Sequence, residues 1–307
     1  MAARRPDERG ACRVSEDVFT QLRPLLFTIA YEILGSATEA EDVLQDSYLR
    51  WHAVDRSTVT NPRSYLAQTV TRQALNHLRT ARRRREDYIG SWLPEPIRTQ
   101  PDVLDDVVLA ESVSFAMLLV LETLGPDERV VFVLHDVFGY THREVAELVG
   151  KSEVAVRQVA HRAREHVQAR RVRHESDPDE ATQIIASFLV AARTGDLQAL
   201  MDLLAPDVVQ ISDGGGKVSA ARRPVTGRQR VARMVIGVAQ GAAADLRVEF
   251  DSYNAVPAIR FTTAGGVDSI VLFAIEQRRI HAVYVVLNPD KLAAAGQPAD
   301  LTRRPTW

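Results

Sequence analysis

Four side chains carried close together on one helical stretch, Arg157, Gln158, His161 and Arg162, have the chemistry of contacts to a nucleic-acid groove. Arginine can bridge a guanine edge or a phosphate with two hydrogen bonds, and glutamine suits adenine. Their setting from Thr141 to Glu165 predicts a helix-turn-helix. THREVAELVG makes a short amphipathic helix, Gly150-Lys151-Ser152 the turn, and EVAVRQVAHRARE a second helix. Val156, Val159 and Ala163 recur at three- to four-residue spacing and are expected to face inward, leaving the polar set outward. Ser152 is placed to cap the second helix, beside Glu153, where free backbone amides can meet a phosphate. Thr141 and Arg143 open the first helix, where backbone contacts to DNA are expected. Any solvated helix carries charges of this kind, so the elements around the motif decide between the readings.

The 307 residues are 46% hydrophobic and 25% charged, enough for two or three compact cores in a globular chain. No apolar run reaches the roughly 20 residues that span a bilayer, and MAARRPDERG has no apolar signal core, so no membrane partner and a cytoplasmic location are expected. Cys12 is the only cysteine, which excludes an internal disulfide and a cysteine-based zinc site; no metal or cofactor motif accompanies it. The net charge of -2 averages basic stretches against acidic ones.

Residues 1–14 read as a flexible arm, and from Phe19 to about Arg85 the pattern is helical. Leu22, Leu25, Leu26, Ile29, Ala30 and Ile33 form a stripe that Gly35 ends. A second helix, capped by Ser36 or Thr38, buries Ala40, Val43, Leu44, Ser47, Tyr48 and Trp51. A third opens at Asn61-Pro62 and runs into Arg79, Arg82, Arg83, Arg84 and Arg85. Residues 88–106, with three prolines, read as an ordered linker, and helical pattern resumes over 107–174. Beyond a polar joint near Glu175, two helices precede strands expected at Val208–Ser212, Leu246–Tyr253, Ala258–Thr262, Val267–Glu276 and Arg279–Leu287. The fold class is multidomain: two all-α units, 15–87 and 107–174, then an α+β unit over 175–295 and a tail over 296–307.

TEAEDVLQDSYLRW (Thr38–Trp51), NPRSYL (Asn61–Leu66) with NHLRTARRRR (Asn76–Arg85), and LETLGPDER with the helix-turn-helix ending in HRAR (His161–Arg164) resemble, in order and spacing, the sigma factors of the extracytoplasmic-function family. WLPEP (Trp92–Pro96), DGGGK (Asp213–Lys217) and NPDKL (Asn288–Leu292) are similar to a subgroup, the J-type sigma factors. Asn76 stands where many relatives have aspartate, and Val159 where many have a basic residue. The resemblance implies core RNA polymerase and promoter DNA as partners. It implies a cone-shaped SnoaL-like C-terminal domain that regulates the sigma units in cis. On that reading Glu41, Asp42, Gln45, Asp46, Leu49 and Arg50 dock polymerase, an acidic, hydrogen-bonding face with an apolar edge suited to a basic coiled coil. The arginine run with Asn61, Arg63 and Tyr65 serves the minus-ten element, with Tyr65 equally readable as core. The helix-turn-helix serves the minus-thirty-five element. Trp92, Leu93, Pro94, Glu95 and Pro96, Asp213, Gly214, Gly215, Gly216 and Lys217, and Asn288, Pro289, Asp290, Lys291 and Leu292 become interdomain and regulatory contacts.

Two other functions stay open on the residues alone. A ligand-responsive repressor would join the helix-turn-helix to a small-molecule pocket but leaves the acidic helix and arginine run unexplained. An isomerase or cyclase would need an acid–base pair from Asp213, Asp268, Tyr253, Arg260 or His281, and no spacing forces these together. His281 alternates with Val283 and Val285, as on a half-exposed sheet face. DGGGK reads as a tight turn that offers glycine amides, and NPDKL as a turn leading into a helical tail.

Overall fold

The computed structural model describes residues 8–100, 103, 106–170 and 178–303, without the side chains of residues 8–17, 83, 84 and 178. Helix α1 (Glu8–Leu34) begins inside the stretch expected to be a loose arm. Its inward stripe is fully buried, and Gly35, at φ +67°, ends it in the left-handed conformation glycine tolerates best. Ser36 caps α2 (Ala37–Ala53) by accepting from the Glu39 amide at 3.0 Å. Asn61 caps α3 (Pro62–Glu86), whose first position is proline, where a missing amide hydrogen costs nothing.

After the linker come α4 (Val107–Ser112), α5 (Phe115–Glu122) and α6 (Pro126–Phe132), which loosens into a π turn over Val133–Val137. The helix-turn-helix is α7 (His142–Val149) and α8 (Glu153–Gln168). Thr141 and Glu144 form a reciprocal capping box on α7, Gly150 closes it at φ +70°, and Ser152 caps α8. The two helical units do not stand apart: the stripe of α1, the inner faces of α2 and α3, and the cores of α4 to α8 form one continuous apolar cluster. Between them, α3 lies against α7, with Arg72 Nε and Gln68 Nε2 donating to the Leu148 and Glu147 carbonyls at 3.1 and 3.0 Å. Those carbonyls belong to the last turn of α7, which has no helical partners for them, so a cation there is doubly favoured.

The C-terminal unit runs α9 (Pro178–Thr194), α10 (Leu197–Leu203), β2 (Leu204–Asp213), β3 (Val225–Thr226), α11 (Arg228–Gln240), β4 (Arg247–Tyr253), β5 (Val256–Thr263), β6 (Gly266–Glu276), β7 (Arg279–Val286) and α12 (Pro289–Leu292). All the expected strands are present, while α11 has no counterpart in the sequence reading. The sheet order is β3-β2-β7-β6-β5-β4-β1-β8, with two strands from outside the unit. The linker supplies β1 (Arg98–Thr99), antiparallel to β4, and the tail supplies β8 (Pro298–Ala299), parallel to β1. The tail then continues to α1, where Leu301 joins the helical core and the Thr302 amide donates to Thr28 Oγ1 at 3.0 Å.

Strand alternation divides the sheet's two faces. Ile259, Val271, Phe273 and Val283 face α9, α10 and α11, while Ala258, Ile270, Leu272 and Tyr284 face the linker and α5, meeting Leu93 and Phe115. Burial on both faces explains the unbroken apolar run Ile270–Ile275 in β6.

Candidate functional site

Three helical surfaces carry the predicted macromolecular contacts, and they differ in what already occupies them. On α2, Val43, Leu44, Ser47 and Trp51 turn inward. Glu41, Asp42, Gln45, Asp46, Leu49 and Arg50 lie together outward and exposed; Leu49 is 60% exposed, unusual for a large apolar side chain. Among the described residues, Glu41 is the one of these six in an ion pair, with Arg23 at 2.6 Å.

On α8, Val156, Val159, Ala160, Ala163 and Val167 are buried, leaving Arg157, Gln158, His161 and Arg162 on the exposed face. Arg157 pairs with Glu153 and His161 with Glu165 one turn on, contacts that exposed side chains exchange readily for a phosphate or base edge. Thr141 and Arg143 are also exposed, Thr141 in its capping box and Arg143 against Glu147 at 3.2 Å.

The basic end of α3 is different. Arg82 is exposed, and the side chains of Arg83 and Arg84 lie outside the described residues. Arg79 pairs with Asp127 of α6 at 2.9 Å. Arg85, expected to neutralise phosphate, is instead committed within the fold. It donates to Glu122 of α5 and, at 2.7 Å, to the Leu34 carbonyl, and it lies 3.6 Å from the centre of the Trp92 ring. Burial lowers its pKa, opposed by Glu122. Asn61 likewise spends its carbonyl on the Ser64 amide, and Tyr65 packs partly buried against Trp51, the core alternative of its two readings. Arg63 is half-buried near Tyr140.

Beneath these surfaces WLPEP, DGGGK and NPDKL meet around one carboxylate. Asp213, at the end of β2, is fully buried. Its Oδ1 accepts from the Tyr88 hydroxyl at 2.6 Å and the Gly215 amide at 3.0 Å. Its Oδ2 accepts from the Leu93 amide at 2.9 Å and Lys291 Nζ at 2.7 Å. Lys291 also donates to the Leu93 carbonyl and sits 4.2 Å from the Trp92 ring centre, so Trp92 has two cations over it. Burial lowers the Lys291 pKa and Asp213 opposes that. The Tyr88 hydroxyl is pushed up, by burial and then by Asp213. Asn288 donates to Tyr88, and Gly215 is required beside it because a Cβ there would lie 2.4 Å from the asparagine amide, at φ +60°. Lys217 and Asp290 close the outer edge at 2.6 Å, exposed. DGGGK is thus a tight turn, as expected, with its first carboxylate clamped from the linker side.

Glu95 extends the arrangement to the first helical unit. Its carboxylate accepts from Ser36 Oγ and the Thr38 amide at 2.7 and 2.8 Å, and its carbonyl accepts from the Tyr31 hydroxyl at 2.8 Å. Asn254, on the β4–β5 turn, donates to Tyr31 at 2.7 Å and to the Val113 carbonyl at 2.9 Å, touching both helical units at once. Sequence reasoning missed this residue, together with Tyr31, Glu32, Glu122 and Arg129. Glu122 pairs with both Arg85 and Arg129; burial raises its pKa, but the two arginines hold it below the usual range. Arg129 Nε donates to the Glu32 carbonyl at 3.0 Å. The Glu32 carboxyl accepts from Ser112 at 2.8 Å and is pushed up to about 8, chiefly by burial. A glutamate inside the apolar AYEIL of α1 and an arginine beside VVF were the available signals, because charge on an inward helical position needs a buried partner.

Of the five polar residues weighed for acid–base work, Tyr253 and Arg260 lie within reach of each other and the rest are apart from them. Asp213 is in the clamp, Tyr253 donates to the Ala295 carbonyl at 2.7 Å, and Arg260 pairs with Glu249. His281 is half-exposed on β7, and Asp268 lines a cavity on the opposite sheet face from the clamp.

The family model for Sigma-70 region 2 matches residues 18–84, and that for Sigma-70, region 4 matches residues 114–167. The chain is 38% identical over 290 residues to the ECF RNA polymerase sigma factor SigJ of Mycobacterium tuberculosis, covering 90% of this chain and 93% of that one. The chain belongs to the ECF RNA polymerase sigma factors. A second relative, the probable ECF sigma factor SigI of the same organism, is 28% identical over 274 residues, covering 88% of this chain and 92% of its own. The crystal structure of the M. tuberculosis extracytoplasmic function sigma factor SigJ superposes with a TM-score of 0.72 at 34% identity, covering 92% of this chain and 99% of that one. This ECF sigma factor therefore has two helical sigma units followed by an α+β unit, and sigma factors act by binding core polymerase and promoter DNA. Among the described residues no helix is long and apolar enough to cross a membrane.

Proposed function

We propose that the chain recruits core RNA polymerase through the outward face of α2 and reads the minus-thirty-five element with the exposed face of α8. Its minus-ten reader, α3, is held closed by the second helical unit and by the linker that the C-terminal domain clamps, until polymerase opens it. The reading is carried by one contrast. The six docking residues and the four groove residues are exposed, whereas Arg85 is spent on α5 and the linker. Docking and unmasking are then linked: polymerase binds only the open form at full strength, and its differential affinity sets how far the equilibrium moves. Several weak DNA contacts joined through polymerase supply promoter affinity by effective concentration. The C-terminal domain acts as a regulatory rather than catalytic unit, supported by the separation of Asp213, in the clamp, from Asp268, at the cavity on the opposite sheet face. A sigma factor works in the cytoplasm, where polymerase and chromosome are.

The experiment is transcription in vitro with purified core polymerase over a promoter library. It compares the full chain with Asp42→Ala/Asp46→Ala and with Asp213→Asn. Specific initiation is expected from the full chain, lost in the first variant and altered in the second. Initiation that survives the first variant removes α2 as the docking surface; unaltered output from Asp213→Asn removes regulation in cis. Tight DNA binding without polymerase, and no initiation, would indicate a repressor.

A further inference from the structure

The cone between the sheet and α9 and α11 encloses a cavity of about 600 Å³, within the range of about 300–1,000 Å³ typical of small-molecule sites. Its wall is apolar, from Phe188 and Val235 on the helices to Val248, Ile259, Phe261 and Val283 on the sheet. The two charged lining residues, Arg193 and Asp268, are exposed. Inside, the polar groups are neutral: Ser212, Ser269 and Gln210. Gln210 is 5% exposed, and its Oε1 has no hydrogen-bond partner among the described residues. A buried amide left unsatisfied costs stability, and a half-turn of the group presents either a donor or an acceptor. An ion entering this interior would lose its water and meet no buried countercharge, which excludes a charged end group.

Successive residues of β2 join this cavity to the clamp. Gln210 and Ser212 line the cavity, and Asp213, the next residue, turns to the opposite face and anchors Tyr88, Leu93 and Lys291. The segment after DGGGK also lies between them. Ser219, Ala220 and Ala221 line the large cavity and a smaller one of about 150 Å³ that reaches Ile89 and Gly90 in the linker.

We propose that the cavity binds a neutral, largely apolar small molecule with one hydrogen-bonding group, met by Gln210, and that occupancy changes the strength of the Asp213 clamp through β2. The second half rests on the regulatory reading above; the first does not. Coupling of this kind is reciprocal, so weakening the clamp changes ligand affinity by the factor with which ligand changes the clamp.

The test titrates the full chain with N-phenylnaphthylamine, a neutral fluorescent probe with a single N–H, and follows its emission. Saturable one-to-one binding is expected. Gln210→Leu, which replaces an amide whose buried Oε1 lacks a partner among the described residues with an apolar side chain and so is expected to preserve the fold, weakens it roughly 3- to 10-fold. Ala239→Phe on α11 fills the cavity and abolishes binding, with circular dichroism checking that the variant is folded. Absence of saturable binding, or binding indifferent to both variants, overturns the site. Asp213→Asn is expected to shift probe affinity at least threefold, and unchanged affinity overturns the coupling. Parallel transcription assays separate the claims. Regulated initiation without probe binding overturns this site alone, whereas probe binding without initiation overturns the proposed function alone.

Discussion

The outward face of α2 and the last turns of α3 belong to the same helical unit, yet one is open and the other is occupied. On α2 the six predicted contact residues keep their side chains outward, five of them free of any ion pair among the described residues. On α3, Arg79 and Arg85 are held by Asp127 and Glu122, carboxylates of the second helical unit. The difference is one of neighbours, not residue type, since both are charged, amphipathic helices. A surface kept open can be found by a partner at any time, while one paired internally answers only after the pair has been broken.

The largest effect is expected from Asp213→Ala. It leaves the Lys291 ammonium buried without its carboxylate, a loss of about 3–5 kcal/mol. Urea unfolding should show the loss, and protease cleavage within residues 88–106 should accelerate. By contrast, Asp42→Ala/Asp46→Ala on the open face should move stability by no more than about 0.5 kcal/mol while removing polymerase binding. Equal destabilisation by the two variants would erase the comparison.

Next comes pH. Glu32 is buried between the helical units, with its pKa raised to about 8 in the fold from 4.5. The folded state therefore holds this proton more tightly than the unfolded one. Its contribution is fully present below about pH 4.5 and is lost as pH rises through about 8. Glu32→Gln should flatten that part of the stability profile, and an unchanged slope would assign it to other groups.

Trp92→Ala removes the ring under Arg85 and Lys291, at about 0.5–2 kcal/mol for each cation. The full chain should then bind single-stranded DNA more tightly, with a log–log salt slope steeper by about 0.7 per released cation. A slope identical to that of the parent chain would mean Arg85 stays held by Glu122 and the Leu34 carbonyl without the ring. The smallest change is Asp127→Asn. It frees the half-exposed Arg79 and the Lys151 contact at about 0–1 kcal/mol, measured by the shift of the urea midpoint.

Local patterns carried much of the architecture. The stripe in α1, the starts at Ser36, Asn61-Pro62 and Ser152, and the alternation in β7 depend on side chains within a few residues of one another, and these elements appear where those patterns place them. Helix α11 escaped because its apolar side faces a cavity and its inward positions are few, Val231 and Ala232 being the ones fully buried. Strands β1 and β8 escaped because two-residue pairings have no period to read, and their partners lie far along the chain.

For the candidate site the division is similar. The sequence by itself determined which residues line the outward faces of α2 and α8, since helical periodicity separates inward from outward positions without reference to anything distant. The resemblance to the J-type sigma factors marked WLPEP, DGGGK and NPDKL as segments that belong together. Only the tertiary structure decided that Asp213 is the carboxylate they share, that Asn254 bridges both helical units, and that Arg85 faces Glu122 and Trp92 rather than solvent. Those contacts join residues up to 223 positions apart, and an ion pair or buried hydrogen bond depends on distance in space, to which spacing along the chain gives no guide.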